Sequence, residues 1–152
     1  YRRGSLSRFK QCPLFAAHVP FLLPPRSRGV KVTAMLQELK RYVVGWLNYF
    51  ALSHTYGTVL DLDKWIRRRV RMYYWKQWKQ PRTRRRKLLA LGVWPERTKL
   101  VTRSRKGYWR LAANSIVQKA LNNDWLSEQG VPDMKARWIA RHYGNSPQTQ
   151  AT

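Results

Sequence analysis

Thirty-one lysines and arginines stand against seven acids in 152 residues, a formal net charge of +24. A compact chain with that imbalance repels itself, so its folded state gains when phosphates or counterions neutralise the surface. The length allows one modest domain, with or without a tail, and a small core. A polyanion is the expected partner.

Nucleic acid, an anionic membrane and acidic protein are all polyanions, and the aromatic content separates them. Eight tryptophans and eight tyrosines are interleaved with the charges, whereas a purely electrostatic tail carries lysine and few rings. Nucleic acid is therefore the leading class. No run of about 18 apolar residues is present to span a bilayer. The apolar stretch from Cys12 to Leu23 is broken by Pro13 and Pro20 and lacks a small-residue cleavage pattern. A cytoplasmic protein without a membrane partner is expected.

Cys12 is the only cysteine, which excludes an internal disulfide and a cysteine-based zinc site. His18, His54 and His142 are scattered, as are the acids, so the local spacings that build a metal site are missing. No glycine-rich phosphate loop occurs. The residues point to no catalytic group, no metal and no cofactor.

The first 31 residues, YRRGSLSRFK followed by CPLFAAHVPFLLPPRSRG, hold Pro13, Pro20, Pro24 and Pro25 and read as an irregular arm or a remnant. Regular structure is expected from near Val32. There Val32, Met35, Leu36, Leu39, Val43, Trp46, Leu47 and Phe50 recur at three and four, with Thr33 a candidate cap and SHTYG at 53–57 a stop. A second helix is predicted from about Val59 to Gln80, ended by Pro81. At about 100° per residue, Leu62, Ile66, Val70 and Tyr73 fall on one side. Lys64, Arg67, Arg68, Arg71, Trp75, Trp78 and Lys79 fall on the other. One face packs and the other is offered.

Thr83 to Leu91 reads as a short basic helix closed by Gly92, and a further turn or two follows Pro95. GYWRLAAN at 107–114 reads as a connector, with Asn114 capping SIVQKALNN. PDMKARWIARHY at 132–143 is a last amphipathic segment before a fraying tail, GNSPQTQAT. With no period-two strand in view, the expected fold is all-α: a small helical bundle with a proline-rich N-terminal arm. Its divisions are 1–31, 32–106 and a C-terminal extension at 107–152.

Between Lys64 and Arg110 there are 18 basic residues and one acid, Glu96, with Trp65, Tyr73, Tyr74, Trp75, Trp78, Trp94, Tyr108 and Trp109 among them. Arginine's planar fork suits phosphate, and ring faces suit unpaired bases. Because the deep major groove of RNA excludes side chains, such a surface suits structured RNA better than duplex DNA. Trp46 and Trp65 are expected in the core, while Trp75 and Trp78 point with the arginines and are the candidate base platforms. RTRRRK at 82–87, which alone would also pass for a nuclear localisation signal, is read as RNA contact for want of balancing acids. Candidate contacts on these grounds include Trp75, Trp78, Lys87, Arg103, Arg105, Lys106 and Arg110.

The strings RSRGV at 26–30, LQELKRYVVGWLNYF at 36–50, LDKWIRRRVRMYYWKQWKQPRTRRRKLLALG at 62–92 and SRKGYWRLAANSIVQKALNNDWL at 104–126 resemble the maturase-specific region of group II intron reverse transcriptases. The resemblance implies a helical thumb beside a polymerase palm, gripping the group II intron RNA as a splicing cofactor. It carries RNA-facing roles onto Arg67, Arg68, Arg71, Lys76, Lys79, Arg82, Arg84, Arg85 and Arg86. It also implies target DNA as a partner for the stretch opening at SRKGYWRL. The family's YADD motif, whose aspartates hold the polymerase metals, does not occur, which excludes polymerisation by this chain alone. Its Cys and His endonuclease ligands are missing too. SRFKQ at 7–11 looks like the family's lead-in, whereas CPLFAAHVPFLLPP does not continue it as a charged helix. A frameshifted or decayed gene, or a fragment of a longer reading frame, would give that junction, and the sequence does not separate these from a free-standing protein. The expected function is an RNA-binding maturase-type domain that assists splicing. The rival is the C-terminal part of an active RNA-directed DNA polymerase whose palm lies on the same or another chain.

Overall fold

The computed structural model describes residues 32–50 and 56–144. The expected arm at 1–31, Cys12, His18, His54, the start of the SHTYG stop and the tail beyond 144 lie outside those residues. Among the described residues there are eight helices and no strand, an all-α small helical bundle. They are α1 (Val32–Phe50), α2 (Tyr56–Gln77), α3 (Pro81–Ala90), α4 (Pro95–Thr102), α5 (Tyr108–Leu111), α6 (Ser115–Ala120), α7 (Asn123–Glu128) and α8 (Met134–Tyr143). None is long and apolar enough to cross a membrane.

Contacts divide the chain into two compact units, one running to Asp63 and resuming at Pro132, the other being Lys64–Val131. The division passes through α2.

In the first unit, α1 buries Val32, Met35, Leu36, Leu39, Val43, Trp46 and Leu47, the stripe that its period of three and four predicts. Val32 is already helical, so Thr33 lies inside the helix and does not cap it. α8 packs on α1. The Asp133 side chain caps α8 by accepting from the Ala136 N–H at 2.9 Å, and the Asp63 carboxylate accepts from the Met134 N–H at 3.3 Å. Two donors left over at the helix start are thereby satisfied. Trp138 fills the gap beside Tyr56, with ring centroids 5.0 Å apart.

The second unit holds the remainder of α2 and the five helices that follow it. α2 begins and ends three residues before its expected bounds, and Pro81 opens α3 rather than merely closing α2. Gln80 is extended, at φ −90° and ψ 142°, because a residue before proline is kept out of the helical region. Proline then suits the first helical position, where its missing N–H is not needed. α3 ends as expected at Gly92, whose φ of +78° only glycine adopts without strain. The Val93 N–H reaches the Leu88 carbonyl at 3.1 Å and the Gly92 N–H the Leu89 carbonyl at 3.0 Å, a Schellman closure. Gly130, at φ +97°, repeats it at the end of α7. α3 packs on α4, and α4 on α6.

Asn114 caps α6 as the sequence predicts, accepting from the Ile116 N–H at 2.9 Å. The expected connector at 107–114 contains the four-residue α5, and α7 is a helix that the periodicity does not reveal. Both are shorter than two turns, too short for an apolar stripe to repeat. Asn122 signals α7 instead, accepting from the Trp125 N–H at 2.7 Å.

Candidate nucleic-acid interface

The second half of α2 has two covered sides. Ile66 and Val70 are buried as expected, while Tyr73 is only half-buried. On the side expected to be offered, Arg67 is 4% exposed, Arg71 8%, Trp75 0% and Trp78 8%. The outward assignment of these four is corrected. Helical phase decides which residues share a face, but a strongly basic face can still be covered if the covering layer supplies acceptors.

Backbone oxygens supply most of them. Arg71 Nε donates to the Leu121 carbonyl at 2.7 Å, just past the end of α6, and its Nη2 donates to Asn123 Oδ1 at 2.9 Å. Arg67 Nη1 reaches the Asn123 carbonyl at 3.4 Å. Arg68, half-buried, places Nε and Nη2 on the Trp109 carbonyl at 3.3 and 3.1 Å, with its guanidinium 4.1 Å from the centroid of the same residue's ring. Arg84 is buried, donates from Nε to the Trp78 carbonyl at 2.7 Å, and lies between the rings of Trp75 and Tyr108 at 5.3 and 5.4 Å. Leu121 and Trp78 lie just past helix C-termini, where carbonyls are left unpaired, and in a chain short of carboxylates such carbonyls serve as the acceptors a buried guanidinium requires.

The half-buried residues follow the same pattern. Lys76 lies 5.9 Å from the Tyr73 ring. Trp65, expected in the core, is half-buried with the Arg69 guanidinium 6.0 Å from its ring. Burial pushes the Arg69 guanidinium below its usual range, and Tyr73 nearby partly offsets that.

Lys79, Arg82, Arg85, Arg86, Lys87, Arg103, Arg105, Lys106 and Arg110 are exposed. None of their side chains has a partner among the described residues. α3 divides its cations by phase: Arg84 and Leu88, four apart, turn inward, while Arg82, Arg85 and Arg86, spaced at three and four, share the outer face. Residues at that spacing stand about 5–6 Å apart at Cβ, so the strip can offer guanidinium forks to more than one anionic group at once. The sixteen candidate contacts therefore separate into nine outside, two half-buried (Arg68, Lys76) and five inside (Arg67, Arg71, Trp75, Trp78, Arg84).

Two residues outside that set stand out. Trp94 is 70% exposed, and Arg97 is exposed and unpartnered among the described residues. For Trp94 the sequence signal is the pairing of Gly92 and Pro95 around it, which marks a turn, and turn residues sit at the surface; Arg97 lies inside α4, whose short period gives no such signal. Helical phase said nothing about Trp94 because it precedes the helix.

A family model described as the group II intron, maturase-specific domain matches residues 15–92. The match takes in Phe15 to Pro25, so the reading of that stretch as a departure from the family pattern is corrected from residue 15 onward. It ends at Gly92, the close of α3, so residues 93–152 lie beyond it. No curated protein matches the chain. The matched domain spans α1, α2 and the arginine-rich α3, and is a maturase-specific domain rather than a catalytic one. The chain belongs to the group II intron maturase-specific domain family.

Proposed function

We propose that the chain binds structured group II intron RNA through its phosphates and assists splicing by holding that RNA in its folded form. The observation that carries the reading is the outer face of α3, where Arg82, Arg85 and Arg86 are exposed and unpartnered among the described residues. This face lies inside the stretch matched by the family. Lys79, Lys87, Arg103, Arg105, Lys106 and Arg110 extend the cationic surface, and only Glu96 opposes it between Lys64 and Arg110. Arginine's fork suits phosphate better than lysine's point charge, so α3 carries more of the binding than the flanking lysines.

Affinity for a group II intron RNA falls steeply with salt, the logarithmic slope changing by about 0.7 to 0.9 per phosphate neutralised. Replacing Arg82, Arg85 and Arg86 together with glutamine lowers that slope by roughly 2 to 3 and weakens binding about tenfold or more, at about 0.5 to 1 kcal/mol per contact. Glutamine is a good helix former, so the circular dichroism melt stays within about 0.5 kcal/mol of the parent. A flat salt dependence, or a triple variant that binds like the parent, refutes the reading. Splicing assistance is measured separately, as the rate at which the intron RNA excises itself with and without the chain. The parent raises that rate and the triple variant does not.

A further inference from the structure

All eight tryptophans lie among the described residues, and seven are committed to the protein itself. Trp46, Trp75 and Trp78 are buried. Trp65 and Trp109 are half-buried beneath arginines. Trp125 meets Tyr74 edge-on at 5.0 Å, and Trp138 stacks on His142 at 3.9 Å. Trp94 alone is exposed, at 70%. It has no ring contact, cation or hydrogen-bond partner for its side chain among the described residues.

Its position is held by backbone. The Schellman closure at Gly92 ends α3, the Val93 N–H is bonded back to Leu88, and the Trp94 carbonyl accepts the Thr98 N–H at 3.1 Å as α4 begins. Pro95, the first residue of α4, keeps Trp94 extended, at φ −56° and ψ 136°. The ring is thus carried on a short turn fixed at both ends, between helices that pack on each other. Arg97, one turn on, is exposed without a partner, and Lys87 in the last turn of α3 is likewise exposed.

We propose that Trp94 is a stacking platform for an unpaired nucleobase, the neighbouring phosphates of that strand being taken by Arg97 and Lys87. The inference rests on the RNA-binding reading above and adds the chemistry of what is bound. Phosphate contacts alone do not distinguish paired from unpaired RNA, whereas a ring stacks on an exposed base face, which an unpaired base offers and the interior of a duplex does not. Charge decides the occupant: from Arg82 to Arg110 the chain holds eleven basic residues and one acid, a setting that favours a polyanionic strand over an apolar protein surface.

The test titrates the full chain and its W94A and W94F variants with two labelled RNAs of equal length, a hairpin with an unpaired loop and a fully paired duplex. Stacking contributes about 1 to 3 kcal/mol per base, so W94A binds the hairpin at least about fivefold more weakly. It binds the duplex as the parent does, with the salt slope on both RNAs unchanged. W94F, which keeps a ring face, retains most of the hairpin affinity. W94A binding both RNAs like the parent would overturn the proposal. Equal weakening on both RNAs, or W94F as weak as W94A, would also overturn it. Failure of the parent to bind either RNA would instead overturn the RNA-binding reading itself.

Discussion

Exchanging Arg67 and Arg71 for glutamine is expected to unfold much of the 64–131 unit, although helical phase alone would place both on a solvent-facing, RNA-binding side. Glutamine cannot span from α2 to the Leu121 carbonyl and Asn123, which Arg71 reaches at 2.7 and 2.9 Å. The variant loses charge-assisted hydrogen bonds and leaves the buried Leu121 carbonyl without its guanidinium, together costing about 2 to 5 kcal/mol. A small domain has only about 5 to 15 kcal/mol in all, so urea and thermal melts shift far toward the unfolded state. Weaker RNA binding should follow the loss of helicity and not precede it. The triple α3 variant is the contrasting case, since it keeps its melt and loses RNA. A double variant that melts like the parent yet loses RNA would return Arg67 and Arg71 to the binding surface.

Replacing Trp75 with alanine is expected to be at least as damaging. The ring is 0% exposed, packs at 6.1 Å from Trp78 and forms one side of the slot that holds Arg84. Truncating a buried tryptophan costs about 3 to 5 kcal/mol through the cavity it leaves. Here the Arg84 guanidinium also loses a ring face, at a further cost of about 0.5 to 2 kcal/mol. Trp75→Phe should cost much less. It keeps a ring under Arg84 and removes an indole N–H that has no hydrogen-bond partner, so the smaller side chain gives back part of what it loses. Melts of the two variants against the parent decide the matter: equal stability of W75A and the parent would return Trp75 to the surface, where the sequence reading puts it.

The core stripe of α1 was legible because a long helix repeats its period often enough for one face to stand out, from Val32 to Leu47. Punctuation was legible for a different reason. Gly92, Pro95 and Asn114 act through their own backbone or, for Asn114, through a side chain that accepts from the backbone N–H two residues on, so their chemistry is local. α5 and α7 lack that repetition, and only a cap such as Asn122 marks them.

The basic surface shows where local information ends. Helical periodicity was enough to indicate an all-α chain with RTRRRK on a helix, and the net charge of +24 to suggest a polyanion as partner. The sequence by itself could not decide which cations meet solvent, because Arg71 and Arg85 are the same residue type on equally basic helices. Their difference is made by Leu121 and Asn123, some fifty residues along the chain from Arg71, whose oxygens satisfy the one guanidinium and leave the other without a partner among the described residues. The rings divide in the same way, Trp75 buried under Arg84 and Trp94 left in solvent. A charge or ring can leave water only where the fold brings an acceptor or a packing surface to it, and that meeting is a property of the tertiary structure alone.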